Sequence, residues 1–125
     1  MSVFRFKQFT IDQDLAGMKV GTDSIILGSA IKIKSKYKDI LDVGAGTGIL
    51  TLMIAQRTSN SNITAIEIDS NSYNQANINI DNCKWNDRIN LINADAKHLM
   101  TDDKYDLIIC NPPYFSNSKQ SIITY

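Results

Sequence analysis

The stretch that decides the fold is DILDVGAGTGIL, residues 39–50. Its first five residues, Asp39–Val43, form a short apolar run that stops at glycines, which reads as a buried strand. From Thr47 to Thr58 the chain is apolar nearly all round with no breaker after Gly48, which reads as a buried helix. Between them, Gly44, Gly46 and Gly48 let the backbone turn tightly and approach a ligand where a Cβ would collide. Strand, glycine turn and helix in that order open a βαβ unit.

Downstream the alternation continues. Asn62–Ile68 is β-branched and apolar, a second strand, and Ser70–Cys83 sets Tyr73, Ala76, Ile80 and Cys83 at helical spacing with Ser70 as the N-cap. Ile89–Asp95 reads as a third strand, Ala96–Met100 as a short helix and Tyr105–Cys110 as a fourth strand. Upstream, FRFKQFTI (residues 4–11) alternates as a strand or half of a hairpin. Gly21–Ile31 reads as a helix capped by Thr22 or Asp23 and covering one edge of the sheet, and KIKSKYK (residues 32–38) is a basic connection into the first core strand. The order predicts an α/β protein with a parallel, doubly wound sheet, in which ligands sit beyond the carboxyl ends of the strands.

The chain has 125 residues, enough for one core, and 43% of them are hydrophobic, which excludes a disordered polar segment. Thirteen basic residues balance thirteen acidic ones, so there is no global pull toward nucleic acid. The balance is local: up to Lys38 seven basic residues (Arg5, Lys7, Lys19, Lys32, Lys34, Lys36, Lys38) face three acidic ones (Asp12, Asp14, Asp23). Cys83 and Cys110 have no C-x-x-C spacing, so neither a disulfide framework nor a metal site is supported. No apolar run reaches membrane-spanning length and no signal-peptide pattern opens the chain, so the expectation is a cytoplasmic protein with no membrane contact.

The unusual residues gather at the carboxyl ends of the strands. The glycine spacing is G-x-G-x-G, neither the dinucleotide fingerprint nor a P-loop. Asp42, two residues before Gly44, would repel a phosphate and suits a ligand that carries an ammonium group. Glu67, 19 residues after Gly48, stands near the offset at which an acid grips ribose hydroxyls, which a carboxylate can accept in pairs. Asp69 lies on the same side at the turn, and Asp95 is placed either to accept from an adenine amino group or to cap a helix. The bland alternatives are a tight βα turn for the glycines and a solvated strand-end acid for Glu67. The ligand sketched by these residues together is a nucleoside with a cationic amino-acid tail. The fourth strand then ends on ICNPPYF (residues 109–115), a turn stiffened and stripped of amides by Pro112 and Pro113, with Asn111 at its mouth.

At this point the chain resembles the S-adenosylmethionine-dependent methyltransferases of Rossmann-like fold. LDVGAGTG (41–48) resembles their first motif, AIEID (65–69) their second and ICNPPYF their fourth, in the branch that methylates exocyclic or amide nitrogens. The N-terminal region, with KQF (7–9), MKVGTD (18–23) and ILG (26–28) in order, is similar to bacterial tRNA (adenine-N6)-methyltransferases acting on the adenine next to the anticodon of valine tRNA. The resemblance implies a three-layer αβα fold, S-adenosylmethionine as cosubstrate and tRNA as substrate. It assigns Asp42, Gly44, Gly46, Gly48, Glu67, Asp69 and Asp95 to the cosubstrate. Asn111, through its amide oxygen, and Pro112, through its carbonyl, are to accept the N–H groups of the target nitrogen, and Tyr114 offers a face for a splayed base. The cysteine before Asn111 is expected to point into the strand's core, and His98 to lie at the surface. Arg5, Lys7, Lys32, Lys34, Lys36 and Lys38 are either contacts to tRNA phosphates or a solvated connection.

NPPY would also serve glutamine-amide methylation on a release factor, and an inactive cosubstrate- or RNA-binding module is the alternative of another class. The resemblance implies seven strands, whereas four core strands are legible. The expectation is therefore the N-terminal part of one methyltransferase domain: residues 1–38 a cap and basic segment, 39–125 the cosubstrate-binding core. Its fourth strand should be left as an unpaired edge.

Overall fold

In the computed structural model, which describes residues 3–6, 8–12, 22–98, 104–110 and 121–124, the elements in chain order are β1 (Val3–Arg5), β2 (Thr10–Asp12), α1 (Thr22–Ala30), β3 (Asp39–Val43), α2 (Ile49–Arg57), β4 (Asn62–Glu67), α3 (Ser70–Asp81), β5 (Ile89–Asn93), β6 (Leu107–Cys110) and β7 (Ser121–Thr124). Single 3-10 turns lie at Asn86–Arg88 and Ala96–His98. The main sheet runs β5-β4-β3-β6-β7, with the first four strands parallel. This is the α/β parallel sheet that the alternation predicts, and β3 lies at its centre. The expected bare edge is not there. β7 pairs antiparallel with β6, Cys110 opposite Ser121 and Leu107 opposite Thr124. SIIT is a β-branched run that suits a strand, but four residues carry too short a pattern to read alone.

The strand alternation sets the core. Ile40 stands in register with Ile63 on one side and Leu107 on the other, so all three share a face. Leu50, Ile54 and Ala55 of α2, with Leu27 of α1 and Ile31, close over that face. Burying such side chains contributes roughly 1.5–3 kcal/mol each. α1 packs on α2 more closely than an edge cover would: a Cβ at Gly28 would come within 2.6 Å of the Met53 sulfur, and Arg57 Nη1 donates to the Gly28 carbonyl at 2.9 Å. β1 and β2 form a separate hairpin whose Phe9 and Ile11 pack with Ile49 and Leu52 of α2 and Ile80 of α3. Phe6 stacks on Phe9, and Trp85 meets Phe9 edge-on.

α3 keeps most of its sequence pattern and adds to it. Ala76, Ile80 and Cys83 are buried as the spacing predicts and Tyr73 is half-buried, but Ser72, Gln75 and Asn79 are buried too, so three of the five buried helix residues are polar. Its N-cap is Asp69, whose Oδ2 accepts from the Ser72 amide at 2.8 Å; the expected cap, Ser70, is already inside the helix. At the amino end of the sheet, Asp106 Oδ2 accepts from the amides of Lys38 (2.7 Å) and Asp39 (3.0 Å), which holds its carboxyl below the usual range and ties the entry of β3 to that of β6. Arg88 ends α2: its guanidinium donates to the carbonyls of Ala55, Thr58 and Ser61 at 2.7–2.9 Å. Ala55 lies in the last turn of α2, Thr58 is its C-cap and Ser61 leads into β4, so one guanidinium ties the helix end to the strand that follows.

Candidate functional site

The glycine loop leaves β3 at the carboxyl end of the sheet. Gly44, Gly46 and Gly48 have φ of 79°, 58° and 90°, the left-handed region that L side chains rarely adopt. The amides of Gly44 and Ala45 both donate to the Ile66 carbonyl, at 2.8 and 3.0 Å, so the loop folds across the end of β4. A Cβ at Gly48 would touch Ala76 of α3 at 3.6 Å, whereas one at Gly46 would meet nothing within 4 Å. The space over Gly46 is open. No side chain caps α2, whose N-cap is Gly48.

Glu67, the last residue of β4, is 8% exposed and is not a solvated strand-end acid. Its Oε1 accepts from the Gly46 amide at 2.6 Å and its Oε2 from the Asp69 amide at 2.9 Å. A carboxylate has about four lone-pair sites, so one on each oxygen is left for a further donor. Asp42 is fully buried. Its Oδ2 accepts from the Thr51 hydroxyl at 2.6 Å, and its Oδ1 has no partner among the described residues. Burial pushes the Asp42 carboxyl up to about 6; the Thr51 bond pulls it down and the charge of Glu67 pushes it further up.

Asp69 is engaged as the α3 cap, and the Ser72 amide holds its carboxyl below the ordinary value. Asp95 Oδ1 accepts from the Lys97 amide at 2.9 Å, the capping role weighed against adenine recognition. Lys32, Lys34, Lys36 and Lys38 are all exposed and lead into the amino end of β3, opposite the glycine loop. Arg5 lies in β1, and Lys7 lies outside the described residues. Asn111, Pro112 and Tyr114 also lie outside them. Cys110 stands in register with Val43, so the chain leaves β6 at the level where the glycine loop leaves β3. The Cys110 thiol is pushed up by burial and by Asp42, which keeps it protonated and unreactive.

Four residues of the site carried no signal that was read from the sequence. Thr51 bonds Asp42; Asn79 donates to the Thr47 carbonyl at 2.8 Å. Asn93 donates to the Glu67 carbonyl at 2.8 Å and locks the ends of β5 and β4. Ile68, directly after Glu67, is 63% exposed, an apolar side chain at the mouth of the site. A large aliphatic residue between two acids at a strand end was the available clue.

A central parallel strand followed by a glycine loop, with an acid ending the next strand, is the architecture of the Rossmann-like methyltransferases. The family model for the methyltransferase small domain matches residues 16–124, and the chain belongs to that family. It is 48% identical over 121 residues to a tRNA1(Val) (adenine(37)-N6)-methyltransferase of Glaesserella parasuis, covering 97% of this chain and 51% of that one. It is 52% identical over 118 residues to the protein of the same name from Haemophilus influenzae, covering 92% and 50%. The chain thus spans about half the length of the curated relatives it matches. Among solved structures, M. jannaschii TYW2 in complex with AdoMet superposes with a TM-score of 0.71 at 21% identity, over 84% of this chain and 48% of that one, a likeness of fold.

Proposed function

We propose that the chain binds S-adenosylmethionine across the carboxyl end of its sheet and serves a methyltransferase acting on N6 of an adenine in tRNA, the adenine next to the anticodon of valine tRNA. The observation that carries the cosubstrate reading is the buried, unpartnered Oδ1 of Asp42 two residues before a glycine loop with open space over Gly46. An unpaired buried carboxylate oxygen is costly, and a ligand ammonium would satisfy it. Glu67 retains lone pairs for ribose hydroxyls, and exposed Ile68 offers an apolar wall to a nucleobase. When bound, S-adenosylmethionine supplies an electrophilic methyl carbon on a sulfonium. Asn111 and the Pro112 carbonyl accept N–H bonds from the target amino group, whose lone pair is otherwise conjugated into the ring. Tyr114 stacks on the base, and the work of the protein is positioning. The tRNA substrate is carried over from the names of the relatives, and it supports a cytoplasmic location. Among the described residues, no helix is long and apolar enough to cross a membrane.

The test is incubation with methyl-labelled S-adenosylmethionine and either bulk tRNA or release factor. Label recovered as N6-methyladenosine in tRNA is expected; label in a release-factor glutamine, or binding with no transfer, would overturn the proposal. Glu67→Ala is expected to weaken cosubstrate binding by about 2 kcal/mol, roughly 30-fold, because ribose hydroxyls lose their acceptor and Gly46 loses its anchor. Calorimetry showing parent affinity would remove Glu67 from the site.

The lysines sit a strand length, about 17 Å for five residues, from the glycine loop, so they reach only RNA that extends well past the target base. Replacing Lys32, Lys34, Lys36 and Lys38 by alanine is expected to reduce the slope of log affinity against log salt by about one or two, with turnover at saturating tRNA unchanged. An unaltered slope would make them a solvated connection.

A further inference from the structure

Asn79 of α3 is 3% exposed, and its side chain bonds backbone groups of β2 and of the glycine loop. Its Nδ2 donates to the carbonyls of Asp12 and Thr47, each at 2.8 Å, and its Oδ1 accepts from the Asp12 amide at 2.8 Å. The orientation of the amide is forced, since flipping it would set an acceptor against two carbonyls and a donor against an N–H. Asp12 is the last residue of β2, and Thr47 stands between Gly46 and Gly48. The peptide plane joining Thr47 to Gly48 is thereby held at both ends: the carbonyl by Asn79, the Gly48 amide by the Ala45 carbonyl at 2.9 Å. Thr47 has a glycine on either side, so the loop here has little conformational restraint from side chains of its own. One side chain therefore holds both a peptide of the glycine loop and the end of the N-terminal hairpin.

We propose that Asn79 is a positioning residue that couples the β1–β2 hairpin to the cosubstrate site, so that settling the glycine loop around its ligand and docking the end of β2 are one event. This rests on the cosubstrate reading above. Hydrophobic contacts from Phe9 and Ile11 hold the hairpin against α2 and α3, but they are non-directional and cannot report on the loop. The Asn79 bonds are directional, and the Asp12 amide is one of them, which gives the coupling a local readout.

The experiment is residue-resolved hydrogen exchange, with and without saturating S-adenosylhomocysteine, on the parent, Asn79→Ala, Asn79→Asp and Arg88→Ala. In the parent, ligand is expected to slow exchange at Asp12 at least tenfold, together with Gly46 and Gly48. Asn79→Ala should bind the ligand at least tenfold more weakly and lose the Asp12 response. Asn79→Asp keeps the acceptor for the Asp12 amide but turns an oxygen on two carbonyls, and should be worse than alanine. Arg88→Ala frees helix-end carbonyls remote from the loop; it should lose stability yet keep both the affinity and the Asp12 response. Binding in the parent with no change at Asp12, or parent affinity in Asn79→Ala, would overturn the coupling and leave the cosubstrate reading standing. If the Asn79 variants do not fold, the parent's Asp12 response alone decides. A parent that binds no S-adenosylhomocysteine would bring down the cosubstrate reading and the coupling with it.

Discussion

Asp42→Asn is expected to be more stable relative to the parent at pH 7.5 than at pH 3, by about 3 kcal/mol, while binding the cosubstrate at least tenfold more weakly. Burial raises the folded-state value of Asp42 from 3.8 to about 6. At pH 3 and below the side chain is protonated in both folded and unfolded chains and costs nothing extra. As the pH climbs from about 4 to 6 the unfolded chain releases its proton and the folded chain keeps it, so stability falls with rising pH. Above about 6 both states are ionised and the penalty is constant. A shift of about two units at 1.36 kcal/mol each gives the size. Asparagine does not titrate, so the variant lacks this decline, and the difference between the two proteins isolates one residue. Urea unfolding of both at the two pH values measures it. A gap that does not change with pH would mean that Asp42 is not strained by burial, and its unpartnered oxygen would no longer argue for a ligand ammonium. The two effects have opposite signs, which separates a binding residue from one that merely supports the fold.

What could be read from the sequence divides along a physical line. β3 begins and ends where its apolar run does, and α2, α3 and the parallel strands follow from periodicity and glycine punctuation, because local pattern and tertiary burial agree there. The glycines of the loop were legible because positive φ demands them. What escaped is what depends on partners distant in sequence. Asn79 and Asp12 are 67 residues apart, as are Asp39 and Asp106. The buried face of α3 adds Ser72, Gln75 and Asn79 to the apolar Ala76 and Ile80, and a search for apolar spacing finds the second pair and passes over the polar three. Glu67 was assigned from its offset, but its inward turn onto Gly46 and Asp69 is a tertiary fact. The cap of α3 fell to Asp69 over Ser70 because an ionised acceptor makes the stronger bond to a free helix amide. The sequence pattern leaves β6 a bare edge because nothing in a four-residue run announces the strand that pairs with it.

Asn111→Ala is expected to slow methyl transfer on saturated enzyme by roughly 100-fold or more, the scale of one lost hydrogen-bond partner in the transition state. The described part of the site supplies the reason for placing the residue in the chemistry. β6 ends at Cys110 in register with Val43, the last residue before the glycine loop, and ligands of parallel sheets bind beyond the carboxyl ends of the strands. An exocyclic nitrogen attacks poorly while its lone pair is delocalised, and acceptors for its two N–H groups favour the tetrahedral form that attacks. Removing the Asn111 amide oxygen takes away one acceptor. On the proposed reading Asp42, Glu67 and the glycine loop hold the cosubstrate without Asn111, so cosubstrate affinity should change far less than the rate. Tyr114→Phe should be mild, because the ring face remains, and Tyr114→Ala severe, because the stacking platform goes. Single-turnover transfer with both substrates saturating is the measurement, since it isolates chemistry from product release. Equal rates for the parent and Asn111→Ala would reduce NPPY to a rigid turn, and transfer to an amino nitrogen would have to be given up.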